Sequence, residues 1–220
     1  PGHLTRNNSG TIESTVSANT DAGFSIVSYT GTGNASHTVG HGLDDKPELI
    51  IIKRRSGPSI SWFIVSSQLG NNEYLLLDSN AAKSADSGSG GVPSSVNNNN
   101  DTTFGFRSGS SNVNNVNQSG GTFIAYCWYS VAGYSKIGSY EGNAGTQTVV
   151  CGFEPSFVMM KNIEDTTNSH WLILDSARST TNPRENELYP NLSNAGQDLN
   201  RQVNFVSNGF ELTSSSYTNR

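Results

Sequence analysis

The residues whose types and spacing could bind a metal are two histidines, His37 and His41, followed by the carboxylates Asp44 and Asp45. Imidazole and carboxylate groups are common ligands of zinc and of other divalent ions. In a β-strand, however, residues four positions apart lie about 13 Å from each other, which is too far for one ion. We therefore predict a structural turn at residues 41–43, and we predict neither a metal site nor any other cofactor.

Enzymatic chemistry would need further groups. A glycoside hydrolase uses two carboxyl groups that face each other across a cleft, and no matched pair is visible among the acidic candidates Asp78, Glu141, Glu154 and Asp175. The chain also lacks the Gly-x-Ser-x-Gly, His-Glu-x-x-His and Gly-Lys-Ser/Thr motifs of hydrolases, zinc proteases and phosphate-binding loops. The sequence predicts that the protein is not an enzyme and provides no catalytic residue.

Aromatic residues near the middle of the chain are candidates for carbohydrate binding, because a ring face packs well against the apolar face of a pyranose. We assign this candidate role to Trp128, Tyr129 and Tyr134. Two tryptophans at equivalent places in the sequence, Trp62 and Trp171, are flanked by apolar residues. For these two we predict packing in the core.

Two polar segments, 81–102 and 177–186, could contact a glycan or a protein partner, since loops often carry the specific contacts of β-proteins. Surface loops without a partner are the alternative. The residues that we single out in these segments are Asn98, Asn99, Asn100, Arg178 and Arg184.

The elements that would position these residues occur twice in the sequence. Residues 47–53 return as 155–161, and residues 61–67 return as 170–176, about 110 residues later. This period is longer than that of solenoid repeats and matches one small domain. The sequence therefore indicates an internal duplication.

Composition and strand pattern define the fold class. The 220 residues are poor in charge (14%) and rich in Gly, Ser, Thr and Asn, which favour turns between short β-rich runs. We predict an all-β protein with little helix, built from two tandem homologous β-sandwich, jelly-roll-like repeats of about 110 residues. The expected strands are 24–29, 37–40, 49–54, 62–66, 74–77, 103–107 and 122–129 in the first repeat, and 134–140, 148–151, 157–161, 171–175, 187–189 and 209–213 in the second.

The expected domains are an N-terminal segment at 1–22, repeat 1 at 23–132 and repeat 2 at 133–220, and repeat 2 lacks its last strand. Residues 9–22 have the character of a strand placed before repeat 1. We hypothesise that this strand completes the sheet of repeat 2, in the same chain or in a neighbouring subunit. The alternative is that the chain is a fragment.

The two cysteines, Cys127 and Cys151, are not equivalent in the repeats, since Cys151 aligns with His41. We predict two buried free thiols. The net charge is −5, and the basic residues cluster only at 53–55, which disfavours nucleic-acid binding. No apolar run approaches the ~20 residues that cross a bilayer, so we expect no membrane contact. The N-terminus does not have the pattern of a signal peptide.

Several segments carry a resemblance to a known family: 18–31, 39–43, 49–53, 121–128, which reads Gly-Thr-Phe-Ile-Ala-Tyr-Cys-Trp, and 133–140. They resemble an uncharacterised, duplicated β-sandwich family of tailed-phage virion proteins, often found beside concanavalin- or laminin-G-like modules. The resemblance covers the chain from about residue 10 onward. It implies a virion or fibre component and supplies no catalytic residues.

We therefore expect a non-enzymatic structural or adhesive protein of a phage virion, in a tail fibre or a capsid decoration. The expected partners are other virion proteins or copies of itself in a homo-oligomer, with a host-surface glycan as a further candidate. The alternatives are a carbohydrate-binding, lectin-like module, a subunit of a self-assembling extracellular fibre, and a glycan-degrading depolymerase.

Overall fold

The computed structural model describes residues 3–85, 100–106, 114–165, 169–193, 197–213 and 219, with residues 197–202 described by their backbone alone. Over these residues the protein is all-β, with several antiparallel sheets and one four-residue helix, α1 (Asn114–Asn117). The chain divides into two compact units: unit 1 comprises Pro1–Leu76, Lys83–Val131 and Ser135–Gly138, and unit 2 comprises Leu77–Ala82, Ala132–Tyr134 and Ser139–Arg220.

The described part of unit 1 contains ten strands: β1 (Thr5–Asn7), β2 (Ser14–Asn19), β3 (Phe24–Thr30), β4 (Thr38–Gly40), β5 (Leu49–Arg54), β6 (Phe63–Ser66), β7 (Glu73–Leu76), β8 (Ser84–Ala85), β9 (Thr103–Gly105) and β10 (Thr122–Trp128). Eight of them form one antiparallel sheet in the order β1-β2-β3-β10-β5-β6-β7-β8. The other two, β4 and β9, pair with each other.

The core of unit 1 follows from strict alternation along β3 and β10, together with β5, in which Ile50, Ile51 and Ile52 are all buried. On β10, Phe123, Ala125 and Cys127 are fully buried, while the residues between them are half-buried. The same cluster includes Val39 of β4 and Phe104 of β9, so side chains of both sheets share one core. A period of two that puts one face of each strand inside is expected where two sheets pack together.

Unit 2 contains six strands among its described residues: β11 (Gln147–Val150), β12 (Phe157–Met160), β13 (Leu172–Asp175), β14 (Arg184–Glu187), β15 (Gln197–Val206) and β16 (Gly209–Leu212). One sheet has the order β11-β16-β15-β14, and β12 pairs with β13. Its core cluster includes Val158, Leu172 and Leu174 from the pair, together with Phe205 and Leu212 from the larger sheet.

The duplicated segments form strand pairs in matching register. Val158 faces Leu174 across β12 and β13, as Ile50 faces Val65 across β5 and β6. The same holds for the smaller pairs, because β11 pairs with β16 as β4 pairs with β9. Equal register puts equivalent residues on equivalent faces, since a slip of one residue would reverse every side chain.

The N-terminal strand differs from the expectation. Residues 14–19 form β2, which pairs with β3 on one edge and with β1 on the other. Both edges of this strand are therefore occupied within unit 1, and the hypothesis that it completes repeat 2 is wrong. The physical reason is local: residues 20–23 close a tight hairpin in which the Gly23 N–H donates to the Thr20 oxygen at 3.1 Å and Gly23 has φ of 63°. A short hairpin costs far less chain entropy than a distant pairing.

A second difference concerns residues 134–140, for which we predicted a strand. They contain only an isolated bridge between Val131 and Ser135 and otherwise turn or irregular backbone. Their equivalent in unit 1, β3, gains its ladder from β10 and β2. Among the described residues, unit 2 has no strand equivalent to either, so residues 134–140 have no ladder to join.

Candidate functional site

The outward face of the eight-stranded sheet carries large aromatic side chains. Phe24 on β3 and Trp128 on β10 are register partners, and residues in register across antiparallel strands project from the same face. Their rings stack with centroids 4.9 Å apart and planes 29° apart. Both side chains are half-buried, whereas their strand neighbours Ser25 and Cys127 point into the core.

The row of rings continues along and across the sheet. Tyr126 lies two residues before Trp128 and on the same face, with ring centroids 6.2 Å apart at 23°. Trp62, just before β6, lies 6.4 Å from Tyr126 at 22°. We refer to Phe24, Trp128, Tyr126 and Trp62 as the aromatic row. Ile51 of β5 is the register partner of Tyr126 and is only 6% exposed. Neighbouring side chains therefore cover the outward face of β5 at this position.

A cation lies beside the last ring of the aromatic row. The Lys53 Nζ is 5.5 Å from the centre of the Trp62 ring and donates a hydrogen bond to the Ile60 oxygen. An ammonium group over an aromatic face is attracted by the ring quadrupole. Because an ammonium group has three donor hydrogens, Lys53 retains capacity to bind a further acceptor.

The opposite end of the same strands forms a polar cleft of about 430 Å³. Its lining residues, which define the polar cleft here, are Glu13, Ser14, Thr15, Ser28, Tyr29, Thr30, Arg55 and Thr122. Register pairing places Thr15 opposite Ser28 and Thr30 opposite Thr122. The backbone of Arg55 is fixed by a 2.7 Å bond from its N–H to the Thr122 oxygen. Hydroxyl, guanidinium and carboxylate groups thus converge on one concave surface.

The aromatic row and the polar cleft share strand β10. Along its outward face, Thr122 of the cleft is followed by Ile124, Tyr126 and Trp128 at every second residue. Six residues of extended chain span about 20 Å. This strip offers apolar ring surface at one end and hydrogen-bonding groups at the other, the combination that recognises a molecule with both kinds of surface, such as a sugar chain.

Of the predicted aromatic contacts, Trp128 belongs to the aromatic row and the two tyrosines do not. The Tyr129 hydroxyl donates to the Thr20 oxygen, and its ring packs against the core of unit 1. Burial first, and then the carboxylates Asp44, Asp45 and Asp21, raise the pKa of Tyr129. Tyr134 is 64% exposed in the turn after Val131.

Asn100, one of the predicted loop contacts, bonds to the backbone of its own loop. Asn100 caps a turn, since its Oδ1 accepts from the backbone N–H groups of Thr102 and Thr103 at 2.9 and 2.7 Å. Asn98 and Asn99 lie outside the described residues.

Arg178 and Arg184 both bond to residues within unit 2. Arg178 Nε donates to Asp175 at 2.6 Å in a partly exposed ion pair. Arg184 is only 6% exposed, donates to the Ser179 oxygen and lies 4.9 Å from the Phe205 ring centre. The prediction of a surface contact by Arg184 is therefore wrong, because Arg184 is the register partner of the buried Val203 and projects from the same face of the sheet.

The histidine turn forms as predicted. The Leu43 N–H donates to His41 Nδ1 at 3.1 Å, so the Nε2–H of the neutral ring donates to the Asn100 oxygen at 3.2 Å. His41 is fully buried, and this burial lowers its pKa despite the opposing Asn100 bond and Asp101 charge. The described residues contain no group of three or more His, Cys, Asp or Glu side chains placed to hold a metal.

Sequence reasoning missed three members of the aromatic row. Trp171 is buried as predicted, but Trp62 is half-buried on the outward face, so its core prediction is wrong. Phe24 and Tyr126 were not singled out. The signal was available in segment 122–128, where Tyr126 and Trp128 share the face opposite to the apolar inward residues.

Cys127 and Cys151 are free thiols, as predicted; Cys127 is also buried as predicted, whereas Cys151 is only half-buried. In the part of the chain that the structure describes, no helix is long and apolar enough to cross a membrane.

One family model, described as a domain of unknown function (DUF7483), matches residues 2–220. The match includes both compact units, so they fall within one family model. No curated protein and no solved structure matches the chain.

Proposed function

The chain belongs to this family of domains of unknown function (DUF7483), and we propose that it is a non-enzymatic adhesive protein of a phage virion, in a tail fibre or a capsid decoration. Its role in the particle is to contact a surface glycan through the outward face of the unit 1 sheet. The virion assignment is supported by the resemblance of segments such as 18–31 and 121–128 to virion proteins.

The observation that carries the adhesive role is the aromatic row beside the polar cleft. The stacked rings, whose planes differ by less than 30°, line the outward face as an apolar strip, against which the C–H groups of a sugar can pack. The cleft supplies hydroxyl groups and the Arg55 guanidinium, which can bind sugar hydroxyls. A rigid sheet holds both surfaces in place, so binding needs little ordering of the protein.

A binding role is favoured over hydrolysis by the acidic groups of the cleft. Glu13 is the one carboxylate among the described residues that line it, and it is ion-paired with Arg6. Glycoside hydrolysis normally needs two carboxyl groups in defined positions, one of them protonated. A single paired carboxylate is suited to accepting hydrogen bonds from sugar hydroxyls.

The scaffold in this proposal is a pair of tandem β-sandwich repeats. The support is the matching register of β5–β6 with β12–β13 and of β4–β9 with β11–β16. Other virion proteins or copies of this chain are the proposed partners within the particle. Duplication of a scaffold allows one copy to bind while the other diverges.

The test is binding of the purified chain to an array of bacterial surface polysaccharides and oligosaccharides, followed by titration calorimetry on any hit. Trp128→Ala should weaken binding about tenfold or more, because one stacked ring contributes on the order of 1–3 kcal/mol in comparable base-stacking sites. Tyr134→Ala is the matched control, since this exposed tyrosine lies outside the aromatic row. Equal losses in the two variants, or no glycan binding by the native chain, would contradict the proposal.

A further inference from the structure

Among the described residues, β12 pairs along one edge, with β13. The backbone hydrogen bonds of β13 show which residues of β12 bond to that edge. Ile173 of β13 exchanges both backbone hydrogen bonds with Leu188, at 2.9 and 3.0 Å. The N–H and C=O of Ile173 therefore face away from β12. Its register partner on β12 is Met159, so this is a non-hydrogen-bonded pair.

Alternation extends this assignment along the strand. Val158 and Met160 bond to β13, and the 2.9 Å bond from the Ser176 N–H to the Ser156 oxygen continues the same series. The backbone groups of Phe157 and Met159 consequently face the other edge. Within the described ranges, neither residue makes a backbone hydrogen bond on that side.

The side chain at the start of the strand is exposed as well. Phe157 is 57% exposed, so its ring projects outward and not into the core cluster of unit 2. Its strand neighbour Val158 is buried in that cluster. The unpaired backbone and the exposed ring together form what we call the open edge of β12. An unpaired edge of this kind can be paired by an additional strand.

The equivalent edge in unit 1 is occupied, and its occupant is known. Residues 157 and 159 correspond to Leu49 and Ile51 of β5, whose register partners on β10 are Trp128 and Tyr126. In that pairing Leu49 is half-buried and Ile51 is buried. The strand that pairs with this edge in unit 1 therefore alternates small or apolar residues facing the core with aromatic residues facing outward.

We propose that the open edge of β12 is a strand-acceptor site, and that its occupant is an extended segment of another polypeptide with the β10 pattern. Small side chains at the positions of Ala125 and Cys127 would lie beside Val158 and Met160, and aromatic side chains would cover Phe157. Strand addition combines backbone bonds, which give affinity, with alternate side-chain contacts, which give selectivity. The site is separate from the aromatic row and does not depend on glycan binding.

The test uses a fluorescent peptide with the sequence of residues 119–130, carrying serine in place of Cys127, and measures fluorescence anisotropy with the full chain. Binding should saturate, and Met159→Pro should weaken it at least about tenfold, since proline removes the donor that faces the open edge. The N–H groups of Val158 and Met160, which bond to β13, remain. A peptide with proline in place of Tyr126 is the matched control and should not bind.

Hydrogen exchange on the native chain gives an independent measurement if the Met159→Pro protein does not fold. The amides of Phe157 and Met159 should exchange rapidly alone and become protected when peptide is added. Absence of saturable peptide binding, or binding without this protection, would overturn the proposal. Self-association that Met159→Pro abolishes, with no binding of the peptide, would also overturn it, because the occupant would then be a second copy.

Discussion

Phe24 on β3 and Trp128 on β10 are register partners whose rings stack on the outward face of the sheet, 4.9 Å between centroids. Their neighbours Ser25 and Cys127 point into the core from the same two strands. The bond from the Tyr129 N–H to the Gly23 oxygen at 2.9 Å lies one residue beyond this pair and holds the register in which Phe24 meets Trp128. A shift of one residue in the strand pairing would place a serine or a valine on the wrong face of the sheet.

The stacked pair should contribute a measurable coupling to stability. We expect a double-mutant cycle of Phe24→Ala and Trp128→Ala to give a coupling free energy of about 1 kcal/mol, typical of aromatic pairs beyond their burial. Urea unfolding of the four proteins provides the measurement. Phe24→Ala with Tyr134→Ala is the control cycle and should show coupling near zero. Additive losses in the first cycle would show that the rings do not interact.

His41 should make unit 1 sensitive to acid. Burial lowers its pKa below the usual 6.5, so the unfolded chain binds a proton that the folded chain does not bind. The contribution is fully present above pH 6.5 and is lost as the pH falls through the folded-state pKa. Between the two pKa values the free energy of unfolding should fall by up to about 1.4 kcal/mol per pH unit.

Urea unfolding between pH 7.5 and 5 measures this slope, and His41→Gln should reduce it. His37→Gln is the comparison variant, because His37 is half-buried and bonds through Nδ1 to Thr32 at 2.8 Å. The same slope in native and His41→Gln proteins would show that another group causes the acid sensitivity.

Asn219 should stabilise the start of β11 in unit 2. It is fully buried, its Oδ1 accepts from the Asn143 N–H at 3.2 Å and from Gln147 Nε2 at 2.6 Å, and its Nδ2 donates to the Gly145 oxygen. Asn219→Ala removes these three bonds, although Gln147 Nε2 keeps its bond to the Glu141 oxygen at 3.0 Å, and we expect a loss of about 1–2 kcal/mol in unfolding free energy. Asn208→Ala, which alters an exposed side chain, should change it by less than about 0.5 kcal/mol. Equal stability of the two variants would argue against this stabilising role of Asn219.

The two thiols should differ in reactivity. Complete burial raises the pKa of Cys127 to about 12, so it stays protonated at pH 8 and is shielded from reagents. Cys151 is half-buried. Titration of the native chain with a thiol-specific disulfide reagent should therefore detect one rapid thiol, and titration in denaturant should detect two. Ser in place of Cys151 should abolish the rapid phase; a rapid phase that persists would contradict the assignment.

Much of the strand pattern was predictable because local alternation determines it. The expected strands at 49–54, 122–129 and 157–161 overlap β5, β10 and β12 almost completely. The role of His41 as a turn residue was also predictable, since His37 and His41 lie too far apart in a strand to share a metal ion and Gly42 follows at the strand end. The pairing partner of residues 14–19 was not, because strand pairing depends on which edges remain available after the short hairpins have formed.

The sequence alone determined the all-β class, the recurrence of segments 47–53 and 61–67, and the alternation that buries one face of strands such as β3 and β10, since these depend on residue type and period. Only the tertiary structure decided that Phe24, Tyr126, Trp128 and Trp62 meet on one face, because they lie on three different parts of the chain and are joined only by strand order and register. An incomplete sheet in repeat 2 was expected from the sequence, but only the structure located its open edge at β12. An edge is a property of the assembled sheet, defined by which neighbour each strand has.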